Sequence, residues 1–161
     1  MDRLTSPCWF AYVAGPRAEG CAFCEIQKQD DGVGNLVVSR GPHSYLVLNR
    51  YPYNNGHCMV IPNRHLVDPS EMTAEEAADV WGSVARTADL LRGPLRAEGV
   101  NVGMNLGRVS GGSIEHLHVH LVPRWQGDTN FMPILADTKV LVELLTDTYA
   151  RFAAALRGAC A

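Results

Sequence analysis

One stretch restricts this chain more than any other: His116 to Pro123, reading His-Leu-His-Val-His-Leu-Val-Pro. Imidazole and aliphatic side chains alternate there with a period of two, the signature of a β-strand. Successive side chains of a strand point to opposite faces. His116, His118 and His120 are therefore predicted to share one face, each ~7 Å from the next. Leu117, Val119 and Leu121 should bury the other. Half of the chain's six histidines fall in this short run, on a strand that otherwise reads as core. Such a concentration marks a site.

Length and charge narrow what that site serves. The 161 residues suit a single domain, 1–161, with an arm over 1–20 and a core over 21–157. A net charge of −3 and a pI near 6.0 provide no basic field for a nucleic-acid partner. No apolar run reaches the ~18–20 residues of a membrane span, and the N-terminus lacks a secretory pattern, so no membrane partner and a cytoplasmic location are expected. Five cysteines are present. In a reducing compartment the close pair Cys21-Ala-Phe-Cys24 reads as metal or redox chemistry, whereas Cys8, Cys58 and Cys160 read as small hydrophobes or tail thiols.

Along the chain, β-rich runs at Asn35–Ser39, Tyr45–Leu48 and His57–Pro62 predict antiparallel neighbours, separated by turn residues. Thr73-Ala-Glu-Glu76 opens a helix through a capping box. Ala77, Trp81, Val84, Ala88 and Leu91 continue it at helical spacing as a buried stripe, up to Gly93-Pro94. Val100–Leu106 predicts a strand leading by a Gly-rich loop to the histidines. Ile134–Asp137 adds a candidate strand. Leu141, Leu144, Leu145, Thr148, Phe152 and Leu156 mark a closing helix.

Three imidazoles on one face admit three readings: satisfied polar residues, a metal cage, or a nucleophile. Neutral imidazole is a competent nucleophile near pH 7 and can carry a covalent intermediate. The Cys pair admits a zinc site, an empty reduced pair or a redox pair. A redox pair calls for a helix directly after it, and Glu25–Asp31 reads instead as running into a turn. A four-coordinate zinc needs two more ligands, for which His65 and His116 are the natural pair. Asn105-Leu-Gly107 and Ser110-Gly111-Gly112-Ser113 present backbone N–H groups and small polar side chains of the kind that cradle phosphate.

Taken in order, these pieces resemble the histidine triad (HIT) superfamily, whose signature His-φ-His-φ-His-φ-φ (φ apolar) is matched by His116-Leu-His118-Val-His120-Leu-Val. The resemblance runs from Leu4 to about Phe152. It implies an α+β HIT-like fold, with an antiparallel sheet of about five strands, one long helix and a C-terminal helix. It also implies a nucleotide hydrolase or transferase acting at an α-phosphate, without an organic cofactor, as a homodimer or higher homo-oligomer.

Carried over by position, His118 matches the nucleophile that becomes nucleotidylated, and His120 the histidine on the α-phosphate. Asn49 matches the ribose ligand. Asn105 and Ser113 match residues that hold phosphate and assist the leaving group, with Gly111 and Gly112 beside them. Cys21, Cys24, His65 and His116 match a structural zinc site of bacterial members. His57, in Gly56-His57, looks structural. Gly112 stands where most branches have Gln. With Tyr51–His57 and Pro123–Phe131 it resembles the diadenosine tetraphosphate phosphorylase-like branch, although the arm Leu4–Val13 lacks that branch's first Trp and its Arg. The function implied is cleavage of dinucleoside polyphosphates, resolved by water or inorganic phosphate. A purine nucleoside phosphoramidase, a nucleotide-binding regulator and a zinc hydrolase are the rival readings.

Overall fold

The computed structural model describes residues 20–129 and 140–159. The arm over 1–19, the Ile134–Asp137 run, Cys8 and Cys160 lie outside them. The described elements are α1 (Ala22–Gln27), β1 (Val37–Arg40), β2 (Ser44–Leu48), β3 (Cys58–Pro62), α2 (Ala74–Arg92), β4 (Gly99–Gly103), β5 (Val119–Arg124) and α3 (Leu145–Ala159). The strands form one sheet in the order β1-β2-β3-β5-β4, and every neighbouring pair is antiparallel. This is the expected α+β class.

Helix α2 begins where local chemistry dictates. The Thr73 hydroxyl accepts from Glu76 N–H, and Glu76 Oε2 accepts from Thr73 N–H at 2.9 Å. Arg64 clasps the same carboxylate through Nε and an η nitrogen at 2.8 and 2.7 Å. The helix lies across β2 to β5 and buries Val80, Val84, Thr87, Leu90 and Leu91. Trp81, expected in the core, is instead 48% exposed. Val84 and Leu91 are buried as expected, but the first turns face inward through Glu76 and Val80 in place of Ala77 and Trp81, because the capping box and the Arg64 ion pair turn Glu76 inward.

Other differences follow from backbone hydrogen bonding. Asn35 does not open β1: its Oδ1 accepts from Gly32 N–H and Val37 N–H, and Leu36 sits at φ +64°, so the strand starts at Val37. Leu141 and Leu144 precede α3 rather than belonging to it. That helix is seated by Phe152, 1% exposed, and by the Tyr149 hydroxyl donating to Val37 O at 3.1 Å.

The histidine stretch departs most. Only Val119–Arg124 is strand, so His116 and His118 precede β5 and only His120 lies on it. The β3 ladder to β5 runs from Cys58 to Val60 and goes no further. Beyond it Pro62 has no N–H to give, and its carbonyl accepts from the His116 side chain. Leu117 N–H donates instead to Leu66 O. Nor is there an open polar face: His116 is 1% and His118 is 7% exposed. A helix, α1, also follows Cys21 directly where a turn was expected.

Candidate functional site

Two of the triad histidines, His116 and His118, are oriented by backbone carbonyls. A carbonyl oxygen can only accept, so the 2.7 Å contact between His118 Nδ1 and His116 O requires His118 Nδ1–H as donor. In the neutral ring the lone pair then sits on Nε2. Burial holds the His118 pKa below its ordinary value against the opposing pull of that hydrogen bond, which favours the neutral form. The Phe23 ring edge meets His118 at 5.2 Å and 66°, and His120 lies 4.7 Å away at 74°, centroid to centroid.

His120 is placed by the sheet, where its backbone pairs with Met59 on one side and Gly103 on the other. Its Nδ1 lies 2.9 Å from His57 Nε2. Tyr53 N–H donates to His57 Nδ1 at 3.0 Å, so the His57 proton resides on Nε2 and is donated to His120 Nδ1. His120 therefore carries its own proton on Nε2. That atom is buried and has no hydrogen-bond partner among the described residues. Burial, then the neighbouring imidazoles, pushes His57 down to about 3 and His120 down to about 4. Near pH 7 both are neutral. The chain of protons runs one way, from the Tyr53 amide to an idle N–H on His120.

His57 is a residue the sequence reading set aside as structural. The signal was its parity: it lies two residues before Met59, the register partner of His120, and so falls on the same side of the sheet. Without the register that signal carries no weight.

The remaining candidates lie on loops. Asn49, just after β2, spends its Oδ1 on Tyr51 N–H at 2.9 Å, and its Nδ2 lies 3.4 Å from His57 Nε2. Asn105, Gly111, Gly112 and Ser113 belong to the β4–β5 connection, with Ser113 exposed at its far side. This loop is curled on itself. Ser110 Oγ bonds Leu106 O and Gly107 O at 2.8 and 2.7 Å, and Gly111 turns at φ +97°. A Cβ on Gly112 would meet Gly107 O at 2.9 Å and Asn105 O at 3.2 Å. Glycine there reflects closure of the loop, beyond the mere absence of a side chain.

A second cluster adjoins the triad. Cys21, Cys24, His65 and His116 converge, with one ligand atom of each lying within 4.8 Å of all the others. Cys21 Sγ is 3.3 Å from His116 Nδ1, and Cys24 Sγ is 3.5 Å from His65 Nδ1 and 3.6 Å from His116 Nδ1. Around a tetrahedral ion with metal–sulfur bonds of ~2.3 Å and metal–nitrogen bonds of ~2.05 Å, such separations come to about 3.6 Å. His116 Nε2–H donates to Pro62 O at 3.0 Å, which leaves Nδ1 as the free lone pair facing the sulfurs. That is the outer-sphere carbonyl partner of a metal-bound imidazole. Burial, with Cys21 beside it, pushes the Cys24 thiol up; a cation would reverse this by displacing the thiol protons. The four residues could hold a metal ion.

Residues 33–127 match the HIT domain model. An AP-4-A phosphorylase of Mycobacterium tuberculosis is 46% identical over 127 residues, which is 78% of this chain and 65% of the relative. The chain thus spans about two thirds of that relative's length. Among solved structures, a Zn-bound histidine triad family protein from Mycobacterium smegmatis superposes with a TM-score of 0.69 at 25% identity, covering 87% of this chain and 95% of the other. A histidine triad nucleotide-binding protein from Sulfolobus tokodaii gives 0.67 at 28% identity, covering 86% and 90%. The five-stranded antiparallel sheet is the fold that these neighbours share. The chain belongs to the HIT domain family.

Proposed function

We propose that this protein cleaves dinucleoside polyphosphates at an α-phosphate through a nucleotidyl-histidine intermediate. The observation that carries this reading is the pairing of opposite tautomers: His118 with its lone pair on Nε2, and His120 with an Nε2–H that has no partner among the described residues, their rings 4.7 Å apart. One is poised to attack phosphorus and the other to bind the oxygen on which charge accumulates.

In the first step His118 Nε2 forms a bond to the α-phosphorus as the bond to the bridging oxygen breaks, and the remaining polyphosphate leaves. His120 Nε2–H donates to an α-phosphate oxygen, and the Asn105, Gly111, Gly112 and Ser113 loop supplies further donors. Preorganised donors of this kind are the main service an enzyme gives phosphoryl transfer. In the second step water or inorganic phosphate displaces His118. Asn49 contacts the ribose. The relative named as an AP-4-A phosphorylase supports diadenosine tetraphosphate as the substrate and phosphate as the acceptor. Zinc is the metal that suits Cys21, Cys24, His65 and His116. With all four positions filled by protein it would close the fold and leave none for substrate.

The test is product analysis of diadenosine tetraphosphate cleavage with and without inorganic phosphate. ADP plus ATP formed only with phosphate marks a phosphorylase, and AMP plus ATP under both conditions marks a hydrolase. No cleavage under either condition would transfer the assignment to a phosphoramidase. His118→Ala should abolish turnover and keep the fold; wild-type turnover in that variant would end the covalent mechanism.

A further inference from the structure

We infer that the Cys2His2 cluster is a positioning device for His118, acting through Phe23 and through the backbone of His116. The inference rests on the reading of His118 as the nucleophile. It concerns how the ring is aimed rather than what it attacks.

His116 belongs to both sites at once. Its Nδ1 faces the cysteine sulfurs, its Nε2–H is tied to Pro62 O, and its own carbonyl accepts from His118 Nδ1–H at 2.7 Å. A side chain tethered at both ring nitrogens fixes the peptide that carries this carbonyl. Phe23 makes the second link. It sits between Cys21 and Cys24 in sequence, is 5% exposed, and presents its ring edge-on to His116 at 5.8 Å and to His118 at 5.2 Å. The His118 ring is thus held from Nδ1 by one ligand residue and against its side by the residue flanked by two others.

Helix α1 has six residues, too few to hold its own conformation in water. The Tyr45 hydroxyl donates to Phe23 O at 2.9 Å, Gln27 Nε2 donates to Asn63 O at 2.8 Å, and Arg40 reaches Gln27 O. Two of those bonds hold helix carbonyls, Phe23 O and Gln27 O, and the third holds the Gln27 side chain. The sulfurs of Cys21 and Cys24 flank Phe23 in the first turn, so a bound metal would add a second hold on that turn beside the Tyr45 bond to Phe23 O. Reaction through a near-attack geometry is steep in position, about 10²-fold for a misplacement of ~1 Å. A loosened clamp should therefore appear in kcat more than in KM.

The test uses the full chain labelled with ¹³C and ¹⁵N at histidine, the His118 ring signals being assigned by their loss in His118→Ala. Phe23→Leu and metal-stripped wild type are compared with the metal-loaded protein at a temperature where circular dichroism shows all three folded. Metal content, ring signals, kcat and KM for diadenosine tetraphosphate are read on each. The inference expects Phe23→Leu to keep one metal per chain and still shift the His118 signals, with kcat down roughly 10- to 100-fold and KM nearly unchanged. Metal-stripped protein should show the same split. Unmoved His118 signals and unchanged kcat in both would overturn it, reducing the metal to a staple and leaving Tyr45, Gln27 and Arg40 to hold the helix. A change confined to KM would also overturn it and make Phe23 a substrate contact. Shifted ring signals in a protein that does not turn over the nucleotide would uphold the positioning and refute the proposed substrate.

Discussion

The imidazole of His57 lies 2.9 Å from that of His120, Nε2 to Nδ1, with the Tyr53 amide donating to its far side. One backbone N–H thereby sets the tautomer of two rings and leaves the second with a buried proton on Nε2. Among the described residues no protein acceptor takes that proton, as the proposed contact with substrate requires.

Substitution at His57 tests this relay. Glutamine can still donate from its amide nitrogen to His120 Nδ1, whereas leucine cannot. His57→Leu should lower kcat by about 10²-fold, within the span of a single positioned proton donor, and His57→Gln should recover most of that loss. Steady-state kinetics on the two variants decide it. Equal losses in both would mean that His57 only fills space.

The same pair predicts an acid limit to stability. His57 is held at about 3 and His120 at about 4, burial being the first cause for each, against ~6.5 for an unfolded imidazole. Between these values the unfolded chain binds protons that the folded chain refuses. The stabilisation is therefore complete above pH ~6.5 and is lost as the pH falls toward 4. Glu76, held at about 2 chiefly by its Arg64 partner, contributes only at lower pH. Melting temperatures taken between about pH 7 and pH 4.5 should fall steadily, and His57→Gln should flatten that slope. A flat wild-type profile would contradict the buried neutral pair.

Gly112 should resist restoration of the Gln found in most branches. A Cβ there meets two carbonyl oxygens at 2.9 and 3.2 Å, so Gly112→Ala and Gly112→Gln should both destabilise by about 1–3 kcal/mol, as overpacking does. Chemical denaturation of the two variants measures this. A Gly112→Gln variant as stable as wild type would mean that the loop opens readily, and the glycine would then be a choice of chemistry rather than of closure.

Metal removal should lower the melting temperature. A ligand bound only by the folded state stabilises it by mass action, so a chelator, or Cys24→Ser, should depress Tm by more than about 5 °C with loss of one metal ion per chain. If a chelator stopped turnover with Tm unmoved, the closed structural role of Cys21, Cys24, His65 and His116 would be wrong.

Much of the molecule was legible in the chain because it depends on near neighbours. The capping box at Thr73 and Glu76, the stop at Gly93, the order of β-rich runs and the Cys21–Cys24 pair are set by residues within a few positions of one another. Local hydrogen bonding and periodicity decide such features before any tertiary contact forms. The triad itself was visible for the same reason, whereas the choice of His65 and His116 to complete the four-residue cluster rested on the family resemblance, since these ligands lie 41 and 95 residues from the cysteines they face.

What only the tertiary structure decided are the features that depend on register and on which backbone groups remain unpaired. Trp81 faces outward because Glu76 is drawn in by Arg64, a residue before the helix. The triad strand starts late because the ladder to β3 ends before Pro62, which frees carbonyls of Pro62 and His116 to accept from imidazoles. His57 meets His120 across that same register, a separation of 63 residues. An isolated sequence shows six histidines; the leftover carbonyls and amides of a particular sheet pairing determine which nitrogen of each carries the proton.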